Sequence, residues 1–239
     1  MSAIQNAVVS PRLKSVVEDP WLVSKRREQL ALASIALFSQ LDYHSATVKD
    51  IAKEAGVSAG LVYQYVKDKQ DLLFLALVHI TQRNKEEIPA ALKDVGDFLM
   101  RLQCAIEAYT HVIAANGKAV LLTYRETKSL KREDIEQLKQ LELETNALIE
   151  QCVQDCIAAG YIAPTNVELL TYRIITAAHA WALKHWRLSR LMTLEQYLHE
   201  AIHACWRPLL LPKGRRRYNK LVNEGALRAR LDCASPVKA

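Results

Sequence analysis

Three residue patterns in this chain have chemistry to offer: a pair of histidines four apart, a glutamine among tyrosines and lysines, and an arginine set in an apolar run. His199-Glu200-Ala201-Ile202-His203 matches H-E-x-x-H. On a helix its two histidines share a face, as two zinc ligands must, and Glu200 would stand as general base. A catalytic zinc needs a third protein ligand, and the carboxylates beyond His203 are Glu224 and Asp232, both in a strongly basic stretch. The string is therefore read as two polar residues near a dimer seam, with no catalytic residue, metal or cofactor assigned. Cys152 and Cys156, also at i and i+4, are read as packing residues and not as ligands.

The stretch Thr47–Lys69, TVKDIAKEAGVSAGLVYQYVKDK, offers the reading of base edges and phosphates. Gln64 can pair with an adenine edge and Leu61 can touch a thymine methyl. Gly60, lacking a side chain, lets a helix approach the duplex closely. Tyr63, Tyr65, Lys67 and Lys69 carry hydroxyl and ammonium donors for phosphates, which position a protein without reading sequence. Lys69 also stands near the start of the next helix, whose N-terminus favours anions. Thr47, Lys49, Ser58 and Ala59 complete the expected DNA-binding set.

Those residues need two short helices to hold them, and the pattern supplies both. Val48, Ile51, Ala52 and Ala55 form one apolar face, Thr47 is a suitable N-cap, and Gly56 can end the helix in the left-handed conformation. Ser58 can cap a second helix, predicted over Ala59–Val66, whose Ala59, Val62 and Val66 cluster towards the first. Two helices joined by a short glycine turn make a helix-turn-helix.

Residues Arg27 to about Leu75 resemble the DNA-binding domain of the TetR (tetracycline-repressor) family. Phe38, Thr47, Ile51, Ala52, Ala55, Gly56, Val57, Ser58, Tyr63, Tyr65 and Lys69 follow that family's pattern, and Asp42 stands where the family usually has glycine. Asp tolerates a left-handed backbone better than most residues. Residues 120–205 are similar to the subgroup that responds to acyl-CoA thioesters, through Y-R-E-x-K-S-L at Tyr124–Leu130, Leu141-Glu142-x-Glu144, and Ala180-Trp181 to Trp186-Arg187. The resemblance implies a dimer joined through its last two helices and an acyl-CoA-type effector that releases it from DNA.

Composition bounds the rest. The chain has 239 residues, with 7 Gly, 7 Pro and 3 Phe, and no run of alternating β-branched residues bounded by turns. An all-α fold is expected, with a three-helix helix-turn-helix domain followed by a helical ligand-binding and dimerisation domain. The 5 cysteines show no C-x-x-C spacing and no signal peptide opens the chain, so a reduced, cytoplasmic setting is expected. The most apolar run, Ile174 to Leu183, is far short of the roughly 20 residues that span a bilayer. Net charge is +6, yet residues 1–80 carry 9 basic and 8 acidic residues, while the last 27 carry 8 and 2. The excess is in the tail. A basic tail can add non-specific attraction to DNA or be a solvated end.

Taken in order, residues 1–23 read as a flexible arm in which Arg12, Lys14 and the following Lys25-Arg26-Arg27 can reach phosphates or an adjacent minor groove. Residues 24–68 are the DNA-binding domain and 69–212 the helical domain. Within the latter, a linking helix over 69–88 is stopped by Pro89. Residues 213–239 read as a basic, disordered tail. Tyr124, Arg125, His179, Trp186 and Arg187 form the expected ligand set, suited to an amphipathic anion. Arg125 has a second reading, pairing with Glu126 or Glu133. Trp181, Leu194, Tyr197, Leu198, Ile202 and Trp206 are expected at a dimer seam, with the intrachain core as the alternative. The partners expected are double-stranded operator DNA with a palindromic site, a small-molecule effector and a second copy, and no membrane. A zinc hydrolase on H-E-x-x-H and a helical protein-binding adaptor are the rival functions.

Overall fold

The computed structural model describes residues 13 and 15–225. Helices account for the fold, and among the described residues the strand-like pairing is one antiparallel bridge, Ile162 with Leu210. The helices are α1 (Pro20–Leu41), α2 (Val48–Glu54), α3 (Ala59–Val62), α4 (Lys69–Leu92), α5 (Phe98–Ala115), α6 (Gly117–Glu126), α7 (Arg132–Ala158), α8 (Val167–Leu183), α9 (His185–Leu188), α10 (Leu194–Tyr197) and α11 (Pro212–Asn223). After α10 the chain passes through a π turn (Leu198–Ile202) and two 3-10 turns.

The chain forms two compact units. One takes the residues up to Glu86 together with Asn116–Leu143, and the other takes Glu87–Ala115 with the residues from Glu144 on. The boundary therefore differs from one drawn at residue 69: α6 and the start of α7 pack with the reading head. In this first unit α1 begins earlier than expected, because Asp19 caps it, accepting from the Trp21 and Leu22 amides at 2.9 and 3.2 Å, and Pro20 suits the first helical position. α1 packs against both α2 and α6 through Leu30, Ser34 and Phe38 on its buried side. Asp42, at φ 65°, ends it and accepts from the Ser45 amide at 2.9 Å.

α4 runs through Pro89 instead of stopping there. A proline removes one intrahelical bond and bends a helix, but a packed helix tolerates it. The stop comes at Asp94, whose φ is 61°.

The second unit is built on α5 against α8, with Leu102, Ile106 and Ile113 of α5 and Ile174, Ala178 and Trp181 of α8 all buried. Cys152 and Cys156 lie buried on α7, and burial pushes their thiols up to about 11 and about 12, so both stay protonated. Among the described residues no group of three or more His, Cys, Asp or Glu is placed to hold a metal ion, and no helix is long and apolar enough to cross a membrane.

Candidate DNA-binding interface

The helix-turn-helix is held by its own capping chemistry. The Thr47 hydroxyl accepts from the Asp50 amide at 3.2 Å while the Asp50 carboxylate accepts from the Thr47 amide at 3.0 Å, a reciprocal box that starts α2. Gly56 takes φ 65° and the Val57 amide donates back to Ala52 at 2.9 Å. The Ser58 hydroxyl then accepts from the Leu61 amide at 3.2 Å and starts α3.

α3 is shorter than its predicted span, Ala59–Val66. Beyond Val62 the backbone tightens into i→i+3 bonds, Gln64 to Leu61 at 3.1 Å and Tyr65 to Val62 at 3.0 Å. The tightening turns Val62, Tyr65 and Val66 inward together, all three buried. Tyr63, Gln64, Lys67, Gly60 and Ser58 are exposed, Ala59 and Leu61 are half-buried, and Thr47 and Lys49 are exposed at the start of α2. The outward face thus presents an amide, a phenol and an ammonium.

Two residues of the expected set turn elsewhere. Tyr65 is 3 % exposed, so its ring belongs to the core. The Lys69 ammonium donates to the carbonyls of Tyr43, His44 and Ala46 at 3.0, 3.1 and 3.0 Å and sits 4.7 Å from the Tyr43 ring centroid. An ammonium has three N–H donors, and all three are taken. Lys69 clamps the turn between α1 and α2.

Arg27 is a structural residue that its neighbours in sequence disguise. Expected with Lys25 and Arg26 to reach phosphate, it is 1 % exposed. Its guanidinium donates to the Tyr65 carbonyl at 3.2 Å and to the Leu13 carbonyl. Burial lowers its pKa and Asp71 opposes that shift. The signal was present in the sequence, since Arg27 falls on the same helical stripe as Leu30 and Ser34. In the described part of the arm, the Val16 amide and the Ser15 hydroxyl donate to the Gln64 carbonyl at 2.9 and 3.1 Å. Arg12 and Lys14 lie outside the described residues.

The H-E-x-x-H string is taken apart by its surroundings. His203 is buried, its Nδ1 accepts from the Trp206 indole at 3.1 Å and its Nε2 lies 3.7 Å from Glu107. Burial holds His203 neutral. At Glu107 burial works to raise the carboxyl, and contacts from His203 and Gln103 outweigh it, so the pair is a carboxylate facing a neutral imidazole. His199 faces Arg207 at 3.2 Å. The two rings serve different contacts.

Two family profiles match the chain: the one described as bacterial regulatory proteins, tetR family, over residues 31–76, and the one described as tetracyclin repressor-like, C-terminal domain, over residues 96–186. The HTH-type transcriptional regulator HbdR of Aromatoleum sp. (strain CIB) is 41% identical over 203 residues, covering 85% of this chain and 89% of that one. The chain belongs to the TetR family. Like its relatives in that family, the chain is a DNA-binding transcriptional regulator. Solved structures agree on the fold. A tetR-family regulatory protein from Rhodococcus RHA1 has a TM-score of 0.64 at 21% identity, covering 75% of this chain and 96% of that one. The fatty acid degradation regulator FadR from Bacillus halodurans has a TM-score of 0.63 at 19% identity, covering 75% and 94%.

The residues expected at an effector site in this TetR-family chain fall in different units. Tyr124 is exposed on α6, and Arg125 beside it pairs with Glu126 at 2.8 Å and donates to the Phe38 carbonyl in the last turn of α1 at 2.6 Å. Its pairing reading describes it. In the second unit, the Tyr109 hydroxyl and His179 Nε2 meet at 2.7 Å, and burial lowers the His179 pKa to about 4. Trp186 and Arg187 are exposed on α9. Of the residues expected at a dimer seam, Trp181, Tyr197, Leu198, Ile202 and Trp206 are buried within the single chain. Trp181 packs on Tyr197 at 5.2 Å between ring centroids, and the Tyr197 hydroxyl donates to the Ala177 carbonyl at 2.7 Å. They fill the chain's own core, which leaves the half-buried Leu194 from that set.

Proposed function

We propose that this regulator is a dimeric repressor, acting in the cytoplasm, that an amphipathic, acyl-CoA-type effector releases from a palindromic operator. The observation that carries the DNA part is the division of residues at α3. Val62, Tyr65 and Val66 face inward and Tyr63, Gln64 and Lys67 face outward, an arrangement that suits base and phosphate contact. One such head covers only a few base pairs, so two heads held roughly 34 Å apart, one turn of duplex, are needed to read a palindrome. Leu169, Trp186 and Leu191, each more than half exposed on the second unit, offer apolar surface for a second copy.

The effector part rests on the likeness of residues 120–205 to acyl-CoA-responsive members. It is also supported by solved relatives of the fold named for fatty acid degradation and for ketosteroid regulation, in Bacillus halodurans and Mycobacterium tuberculosis. Arg125 gives a physical route, because it fastens α6 to the Phe38 carbonyl in the last turn of α1, and any displacement of α6 pulls on the reading head. An effector that binds the displaced state about 100-fold better shifts the equilibrium by roughly 2.7 kcal/mol. A gel shift on the DNA upstream of the protein's own coding sequence, with and without long-chain acyl-CoA, tests the proposal. Release of the complex is expected. Unchanged binding across acyl-CoAs of different chain length would exclude this effector class while leaving the DNA reading intact.

A further inference from the structure

The residues that hold the chain's entire charge excess are not all in a loose tail. Eleven of them, Lys213–Asn223, lie in α11 (Pro212–Asn223), and the helix is fastened to the second unit at four places. Gly214 lies so close to Tyr161 that an added Cβ would sit 2.1 Å from its carbonyl oxygen. The Leu211 amide donates to that same carbonyl at 2.9 Å. The Arg217 guanidinium pairs with Asp97 at 2.6 Å, and Asp97 also caps α5 through the Leu99 amide at 2.9 Å. Leu221 is 1 % exposed, and Tyr218 meets Trp206 edge-on at 6.1 Å.

At 100° per residue, Gly214, Arg217, Tyr218 and Leu221 share the inner face, and Arg215, Arg216, Asn219, Lys220 and Asn223 share the opposite one. All five of the latter are exposed. The face carries three cations and two amides, with no carboxylate in it; Glu224 reaches Lys220 from its edge at 3.7 Å. We infer that this face is a second DNA-binding surface, which grips duplex phosphates without reading sequence.

The chemistry selects the partner. Duplex DNA carries one charge per ~1.7 Å of axis, and Arg, Lys and Asn are donors that contact its phosphates. A bilayer would need the helix to lay an apolar face into the lipid. That face is already engaged with Tyr161 and Trp206, and the outer one, Pro212 at its start aside, is polar. The helix backbone that carries the cations is already anchored through Gly214, Arg217 and Leu221, so only the side chains need ordering when they meet the duplex. The inference depends on the protein meeting DNA through its head, and is independent of the effector.

Fluorescence anisotropy of the full chain on a random-sequence duplex, over a series of KCl concentrations, provides the test. For Arg215→Ala/Arg216→Ala/Lys220→Ala the slope of log K against log salt should fall by about 0.9 for each phosphate no longer neutralised, or about 2–3 per protomer, and affinity should drop on the order of tenfold. Arg215→Lys/Arg216→Lys should retain the parent slope, which separates an effect of charge from an effect on folding. A head variant, Gln64→Ala/Lys67→Ala, should lose operator preference yet still respond to the α11 substitutions. Identical slopes and affinities for the triple variant and the parent would overturn the inference. So would coinciding DNA titrations with cosedimentation of the parent alone on phosphatidylserine-containing vesicles, which would assign the surface to a membrane.

Discussion

Lys67 and Lys69 are two residues apart and identical in chemistry, and the structure gives them opposite roles. Lys67 is exposed beside the reading helix, whereas Lys69 is wrapped by three carbonyls of the turn that follows α1. Lys69→Met should therefore lower stability, by about 1–2 kcal/mol for the missing charge-assisted bonds, while leaving the salt slope of DNA binding in place. Lys67→Met should leave the melting temperature in place and reduce that slope by about 0.9 per protomer. Thermal melts paired with salt titrations distinguish them; the reverse pattern would return Lys69 to the phosphates. This distinction was not legible in the sequence, because Lys69 acts on carbonyls more than twenty residues away. The caps were legible, since Thr47, Asp50, Gly56 and Ser58 act on neighbours within a turn. Arg27 lies between these cases: its helical stripe was readable, but its adjoining basic residues pointed the other way.

At the scale of elements, local signals set starts and stops well where a side chain bonds its own backbone, and poorly where packing decides. α3 ends early because Tyr65 and Val66 are both drawn into the core, and α4 passes Pro89 because a packed helix can do without one bond. α11 is the largest departure. Its composition suggests a solvated end, and it is ordered through contacts with Tyr161 and Asp97, both far away in sequence, and with Trp206. Gly214→Ala should displace α11 from Tyr161, with a cost of at least 1–3 kcal/mol for the overlap. Limited trypsin digestion should then cut at Arg215 and Arg216 faster than in the parent. An unchanged melting temperature and digestion rate would show that α11 does not rest where it is placed.

For the whole molecule, the charge map and the units agree. The excess of positive charge lies past residue 212, so the head has few surplus cations, and the reading proposed for it puts the weight on shape, on Gln64 and on a second copy. The division of the chain around Glu86 and Leu143 puts α6 with the head, a pairing invisible to periodicity because it depends on Arg125 reaching Phe38 across 87 positions. The all-α class and the helix-turn-helix were legible because both are written in short-range spacing. The interior of the second unit was not, since an apolar tryptophan such as Trp181 looks the same in a core and at a seam.

The central claim is that α3 reads sequence through its outward residues. Footprinting on the DNA upstream of the coding sequence, with the parent and Gln64→Ala side by side, tests it most directly. Two protected half-sites roughly one helical turn apart are predicted for the parent. The Gln64→Ala footprint should stay in place while tolerating substitution at one base position of each half-site, a loss of about 1–3 kcal/mol of discrimination there. No protected sequence, or a variant whose preference matches the parent at every position, would contradict the account.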